Sequence, residues 1–335
     1  LERLDRPHGS RLGPDGWIYL GEVERIARFD PSAPDPGATL ETVIGGLPAQ
    51  QTRADRIRFH PMKSFVFAPD WDLIVNMGSS TDHCAESLGA ESLAAGETRC
   101  HDEEEHNASI WRFDYLGERR WSPDPEHLAH GLRNSVALVA HPSGTILQGE
   151  NGTDFPEVDR PHEELNVIER GRHYGWPYCY DRDRADDRWA HADFACDPAR
   201  NPVYAPPLIL LPPHGAPLDM LYYRAERLSV LQGHLLISLH GYREPGHRIL
   251  SFEVGARGLP GRDAPWQGLI GDWSPSEERP RGAPVGMTVA RDGSLWLVED
   301  TNGTVLRLST DRYRSTGPIA GPDARPLPPA GAAFT

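Results

Sequence analysis

The stretch that decides the fold is Met287-Thr-Val-Ala-Arg-Asp-Gly-Ser-Leu-Trp-Leu-Val298, closed by Val305-Leu-Arg-Leu308. Apolar side chains alternate on either side of Asp292-Gly293. Alternation with a period of two marks half-buried strands. Asp and Gly between them serve turn geometry, since glycine tolerates positive φ. The phrase therefore reads as a hairpin followed by a third strand. It recurs as Arg11-Leu-Gly-Pro-Asp-Gly-Trp-Ile-Tyr-Leu20 with Arg25-Ile-Ala-Arg-Phe29. It recurs again as Phe65-Val-Phe-Ala-Pro-Asp-Trp-Asp-Leu-Ile-Val75 with Ile110-Trp-Arg-Phe113. A further copy is Ala137-Leu-Val-Ala-His-Pro-Ser-Gly-Thr-Ile-Leu147 with Leu165-Asn-Val-Ile168. The loosest joins Leu221-Tyr-Tyr223 to Gly233-His-Leu-Leu-Ile-Ser-Leu239 and Arg248-Ile-Leu-Ser-Phe252. Repeated antiparallel units of three to four strands predict an all-β chain, a β-propeller with five legible blades. A large sandwich would have no reason to repeat the phrase.

The expected propeller spans residues 1–316. The Pro-, Gly- and Ala-rich residues 317–335 read as a tail. Three stretches between the copies are long: 79–108, 154–164 and 180–207. Loops of that length in a compact domain are usually functional. With 33 Gly and 32 Pro the chain favours turns over long helices. Its 49 acidic residues exceed its 34 Lys and Arg, which argues against nucleic acid and anionic membranes as partners. No apolar run approaches the ~18 residues of a membrane span. No secretory leader is visible, and residue 1 is Leu, which suggests a processed or trimmed chain.

Four cysteines fall into two local pairs, Cys84 with Cys100 and Cys179 with Cys196. Such pairs in a polar chain suggest two disulfides and an oxidising compartment, periplasmic or secreted. Each would contribute ~3 kcal/mol by loop closure. His83, His101 and His106 beside the first pair leave a metal site as the rival reading.

Candidate chemistry lies on turns. His60 stands at a strand entrance, where a histidine titrating near neutrality suits a general base. Among 15 histidines any one is more often packed or superficial. Arg133-Asn134 pairs a planar cationic fork with a neutral donor and acceptor. Arg243, Arg248, Arg279 and Arg281 would suit a polyanionic ligand if they gathered round a channel; scattered, they are surface charge. Asn151-Gly-Thr-Asp154, Glu163 and Glu164, with the backbone near Tyr174, offer oxygen ligands that suit Ca²⁺ better than zinc. The bland alternative is a hairpin turn beside a solvated acidic loop. The run Asp102-Glu-Glu-Glu105 reads as solvated, and three Asn-x-Ser/Thr triplets are weak glycosylation matches.

In that order and spacing, Gly131-Leu-Arg-Asn134, Glu150-Asn-Gly152, Glu163-Glu-Leu-Asn166 and Gly171-Arg-His-Tyr-Gly-Trp-Pro177 resemble the soluble pyrroloquinoline-quinone-dependent glucose/sorbosone dehydrogenases. The L-sorbosone-type branch is nearest. His60-Pro-Met-Lys-Ser-Phe-Val-Phe67 followed by Asn76-Met-Gly-Ser79 resembles that family's base-bearing strand. His214-Gly-Ala-Pro217, His240-Gly-Tyr-Arg-Glu-Pro-Gly-His-Arg248 and the segment from Arg281 resemble its later blades.

The resemblance implies six blades, with the quinone over the central channel. It implies that His60 takes the substrate hydroxyl proton while hydride passes to the quinone. Arg133 would place quinone and substrate, and Asn134 would bind the quinone. His214, His240, Arg243, Arg248 and Arg281 would be further cofactor contacts. Backbone oxygens of Gly152 and Thr153 would hold one Ca²⁺, and Glu164 with a backbone oxygen near Tyr174 a second. The implied activity is oxidation of a sugar, aldehyde hydrate or alcohol, with electrons leaving to an external acceptor. Two features depart from the family pattern: Phe59 precedes His60, where some members carry an acidic partner, and Thr153 stands where others carry Pro. The rival functions are a Ca²⁺-dependent lactonase-like hydrolase and a non-catalytic binding propeller.

Overall fold

One five-residue turn explains why the phrase repeats. In residues 13–17, 68–72, 141–145 and 290–294 the first carbonyl accepts from the fourth N–H. The first N–H in turn donates to the fifth carbonyl. The fourth position has positive φ in every copy: Gly16 at 80°, Trp71 at 72°, Gly144 at 89° and Gly293 at 82°. Asp15, Asp70 and Asp292 each accept the N–H two residues on, at 3.1, 3.4 and 2.9 Å. That side-chain bond makes the turn locally self-sufficient. Trp71 is the exception, a bulky residue where the other copies carry glycine.

The computed structural model describes residues 1–2, 4–49, 59–84, 106–189, 192–241, 243, 245–271, 273 and 282–310. They form five antiparallel blades of a β-propeller. The first comprises His8–Leu12, Ile18–Gly21, Arg25–Phe29 and Glu41–Gly45. The second comprises Phe65–Phe67, Leu73–Met77, Ser109–Phe113 and Glu126–His130, and takes Arg172–His173 as a parallel fifth strand. The third comprises Ala137–Ala140, Ile146–Glu150, His162–Val167 and Ile209–Pro213. The fourth comprises Pro217–Tyr223, His234–Leu239, Arg248–Glu253 and Gln267–Ile270. The fifth has three described strands, Pro284–Val289, Leu295–Glu299 and Thr304–Leu308. The five repeats legible in the sequence are these five blades. The sixth blade that the resemblance implies is not among the described residues.

The core lies between blades. Tyr19, Ile26, Phe65 and Phe113 join the first to the second, and Ile74, Ile110, Leu138 and Ile168 the second to the third. Leu147, Leu165, Leu235 and Leu250 join the third to the fourth, and Tyr223, Leu236, Leu295 and Leu297 the fourth to the fifth. Each such side chain removed from water contributes roughly 1.5–3 kcal/mol. Among the described residues no apolar cluster joins the fifth blade to the first. Leu12, Val298 and Val305 are exposed on that flank. The five inner strands line a channel of about 1230 Å³. Across it Arg11 of the first blade meets Asp219 of the fourth at 2.9 Å.

The long stretch after Trp176 folds over the second and third blades. Cys179–Tyr180 pairs with Arg184–Ala185, and the Cys179–Cys196 disulfide forms as expected. Trp176, Tyr178, Trp189 and Tyr204 pack round it. Cys84 is buried beside them; its expected partner Cys100 lies outside the described residues, as do Asp102–Glu105, Arg279, Arg281 and 317–335.

Gly144 and Gly293 separate backbone from packing effects. A Cβ on Gly144 would meet nothing within 4 Å, whereas one on Gly293 would lie 2.9 Å from the Arg227 Cβ. Gly144→Ala is expected to cost about 1–2 kcal/mol from φ alone. Gly293→Ala should cost more, and comparison of denaturant midpoints measures the difference.

Candidate active site

The segments that enter the inner strands of the second, third and fourth blades meet at one end of the propeller. Asn151 on the third-blade turn draws them together. Its Nδ2 donates to the carbonyls of Asn134, at 3.1 Å, and Pro217, at 2.9 Å.

His60 enters the second blade at this mouth, half-buried and with φ at 44°. A left-handed histidine is held there by its surroundings rather than by its own preference. Its Nδ1 lies 3.0 Å from the Ser79 carbonyl and 2.9 Å from the Ser79 hydroxyl. Gly78 permits that approach, since a Cβ there would lie 2.5 Å from the His60 Cβ. Burial, and secondarily the charge of Arg133, pulls the His60 pKa down to about 3. The imidazole is therefore neutral at ordinary pH and free to accept a proton.

Arg133 is buried and fully engaged. Its guanidinium meets the Asp82 carboxylate at 2.7 Å, the Asn151 carbonyl at 3.0 Å and the Asp82 carbonyl at 3.3 Å. Asp82 also pairs with His83 at 2.9 Å and accepts the Asp154 N–H at 3.1 Å. Although burial opposes ionisation, His83 and Arg133 hold this carboxyl at about 2. The Asn134 N–H donates to Glu150 at 3.0 Å. Its buried Oδ1 has no hydrogen-bond partner and points toward Gly78 and His60.

Behind the mouth stand three buried carboxyls. Glu150 accepts from Asn134, Ser135 and Gln148. Glu163 accepts the N–H groups of Gly152 at 2.7 Å and Ala216 at 2.9 Å. Glu164 accepts from Asn166 at 3.2 Å. Burial pushes Glu150 and Glu163 up to about 7. Burial together with the charge of Glu150 pushes Glu164 well above the usual range. Glu150, Gly152, Thr153, Glu164 and Tyr174 line one cavity of about 20 Å³. That is room for a single water-sized sphere. The two ligand pairs expected to serve two separate ions therefore share one small space. Among the described residues no three His, Cys, Asp or Glu side chains gather as a metal-binding group.

The expected basic cradle divides. Arg243 donates to the Glu157 carbonyl at 2.9 Å and the Phe155 carbonyl at 3.2 Å, and His214 also contacts the Glu157 carbonyl, at 2.7 Å. Both thus hold the loop that continues from Asn151 to Asp154. His240 instead pairs with Asp300 at 3.0 Å, and Arg248 lies over the Trp266 ring. Sequence reasoning gave no role to Ser79, Asp82 or Glu150. Ser79 and Glu150 lie inside the quoted motifs, and Asp82 sits in a loop whose histidines suggested metal.

A propeller whose mouth gathers a neutral histidine, an asparagine and a clamped arginine has the form of an enzyme site. The profile of the TrAA12-like family matches residues 4–311, and the chain belongs to that family. It is 25% identical over 248 residues to a pyrroloquinoline quinone-dependent pyranose dehydrogenase of Coprinopsis cinerea, covering 58% of this chain and 32% of that protein. An uncharacterised Borreliella burgdorferi protein is 26% identical over 190 residues, covering 55% of this chain and 48% of that protein. The chain thus spans a third to a half of these relatives. The fold is shared with the Trichoderma reesei family AA12 enzyme, at TM-score 0.67 and 21% identity, covering 89% of this chain and 79% of that one. It is also shared with the quinone domain of Coprinopsis cinerea pyranose dehydrogenase, at TM-score 0.61 and 21% identity, covering 89% and 80%.

The raised carboxyls set a pH dependence in the metal-free protein. Folded Glu164 holds its proton more tightly than the unfolded chain does. Its contribution to stability is full below its ordinary pKa and is lost as pH rises through the native one. Glu164→Gln lacks that titration. Its unfolding midpoint, measured in chelator, should gain on the wild type between pH 5 and 8.

Proposed function

We propose that this chain is a dehydrogenase dependent on pyrroloquinoline quinone and Ca²⁺. It would oxidise a sugar, an aldehyde hydrate of the sorbosone kind or a secondary alcohol, and pass electrons to an external acceptor. The observation that carries this reading is the shared mouth. Neutral His60, the unpartnered Oδ1 of Asn134 and the clamped Arg133 meet there, beside a carboxyl-lined cavity.

The residues present fit both groups. A cavity for one sphere, walled by Glu150, Glu164 and the backbone of Gly152 and Thr153, offers hard oxygen donors. Burial pushes its carboxyls toward the protonated form, and a bound cation would reverse that. Glu164, Tyr174, Gly152 and Thr153 are the proposed calcium ligands. Arg133, Asn134 and Arg243 are the proposed quinone contacts, with His214, His240, Arg248 and Arg281 beyond them. The bound quinone supplies the hydride acceptor, and Ca²⁺ supplies Lewis-acid polarisation.

This chain's own part is acid–base and positional. His60 takes the hydroxyl proton of the substrate through its imidazole. Arg133, pinned on two sides, presents fixed positive charge without having to reorganise. Asn134 Oδ1 accepts a donor of the ligand that would otherwise meet an unsatisfied oxygen. The Cys179–Cys196 bridge supports export to a periplasmic or extracellular space. No helix of the described residues is long and apolar enough to cross a membrane.

Purified protein supplied with Ca²⁺ and the quinone should reduce a dye over a panel of sugars and alcohols. No quinone binding and no dye reduction would sink the reading. His60→Ala should keep quinone binding, read by fluorescence titration, and lose roughly 10²–10⁴-fold in kcat. Ca²⁺ should raise the unfolding midpoint of the wild type and leave that of Glu164→Gln nearly unmoved.

A further inference from the structure

We infer that Ser79 is the positioning residue for His60: its hydroxyl, anchored on the Thr81 carbonyl, fixes the imidazole with hydrogen on Nδ1 and the basic lone pair on Nε2. This rests on the reading of His60 as the base.

The assignment follows from counting protons. A serine hydroxyl has one hydrogen to give. Ser79 Oγ lies 2.5 Å from the Thr81 carbonyl oxygen, which can only accept, so that hydrogen is committed there. Toward His60 the same Oγ, at 2.9 Å, is left as an acceptor. The Ser79 carbonyl, at 3.0 Å from Nδ1, is an acceptor as well. Nδ1 thus faces two acceptors and must carry the hydrogen. In a neutral imidazole the lone pair then falls on Nε2. Among the described residues Nε2 has no hydrogen-bond partner, so nothing competes with a ligand for it.

The anchor is itself fixed. Ser79 and Thr81 are buried, and Thr81 Oγ1 accepts the Cys84 N–H at 2.9 Å. The Ser79 N–H donates to the Arg133 carbonyl at 2.7 Å. One residue therefore sets the distance between base and arginine as well as the base's tautomer. The charged groups acting on His60 are Arg133, on the segment entering the third blade, and Asp82, on the loop after the second blade's second strand. Asp82 is committed to Arg133 and His83. The back of the imidazole thus meets a neutral hydroxyl and a carbonyl rather than a carboxylate. Burial and the charge of Arg133 outweigh the pull of Asp82, and the ring stays weakly basic.

The test uses ¹⁵N-histidine-labelled, quinone-free protein and long-range ¹H–¹⁵N correlation spectra, with His60→Gln to assign the ring. Near neutral pH, His60 Nδ1 should show the protonated, pyrrole-type signature and Nε2 the pyridine type. The reverse pattern would overturn the inference. Ser79→Asp should raise the His60 titration midpoint in these spectra, by about one pH unit or more for an adjacent carboxylate. An unmoved midpoint would overturn it too. In loaded enzyme Ser79→Ala should lower kcat about tenfold, the weight of one lost hydrogen bond, with little change in KM. Ser79→Thr, which keeps the hydroxyl, should restore it. Equal loss in Ala and Thr variants would count against the positioning role of the hydroxyl. The base reading fails separately, by full turnover in His60→Ala, because the spectra judge Ser79 without any turnover.

Discussion

Arg133 ties the loop after the second blade's second strand to the turn of the third blade, and the candidate site depends on that tie. Its guanidinium is almost wholly withdrawn from water, with a side-chain exposure of 7% against 15% for Asp82. Burial of both charges is costly, and the gain comes from geometry: a carboxylate and two carbonyls share one planar fork. Loss of either partner would strand a buried charge, at about 3–5 kcal/mol. The same clamp carries Ser79 through the Arg133 carbonyl and Trp176 through the Asp82 carbonyl. Base, arginine and covering loop are therefore one rigid unit.

Behind that unit the interior is polar where a propeller core is usually apolar. Gln148 and Asn166 link Glu150 to Glu164 through side-chain hydrogen bonds, and the Ser135 hydroxyl joins the network at Glu150 and Gln148. Each carboxyl is largely satisfied as a hydrogen-bond acceptor, yet none is satisfied as a charge. Hydrogen bonds lower these pKa values less than desolvation raises them. In the metal-free protein the network therefore favours the protonated carboxyls.

The fold was legible because it rests on local chemistry. Alternating apolar residues and the Asp-Gly turn are properties of neighbouring residues, so the first three strands of each blade could be read. The fourth strands could not. Glu41–Gly45 and Gln267–Ile270 are outer and largely exposed, and Ile209–Pro213 carries prolines. Arg172–His173 is two residues long and finds its partner across blades. The site divides along the same line. His60, Arg133, Asn134 and the calcium candidates stood out by residue type within ordered motifs. Ser79 and Asp82 act through contacts across 19 and 51 residues, respectively, and no local pattern announces them.

The bare flank of Leu12, Val298 and Val305 has a mechanical consequence. The described blades form an open arc, with four apolar joints for five units. In a closed ring, parting one joint leaves every unit connected the other way round. In an arc, it splits the body, as in a linear array of repeats. Among the described residues the Arg11–Asp219 pair spans the hollow, and a partly exposed ion pair contributes at most about 1 kcal/mol. Among the described residues the first and fifth units each have one apolar joint, and the inner three have two. The candidate base and its arginine sit at the joint between the second and third units, where yielding at either end disturbs them least.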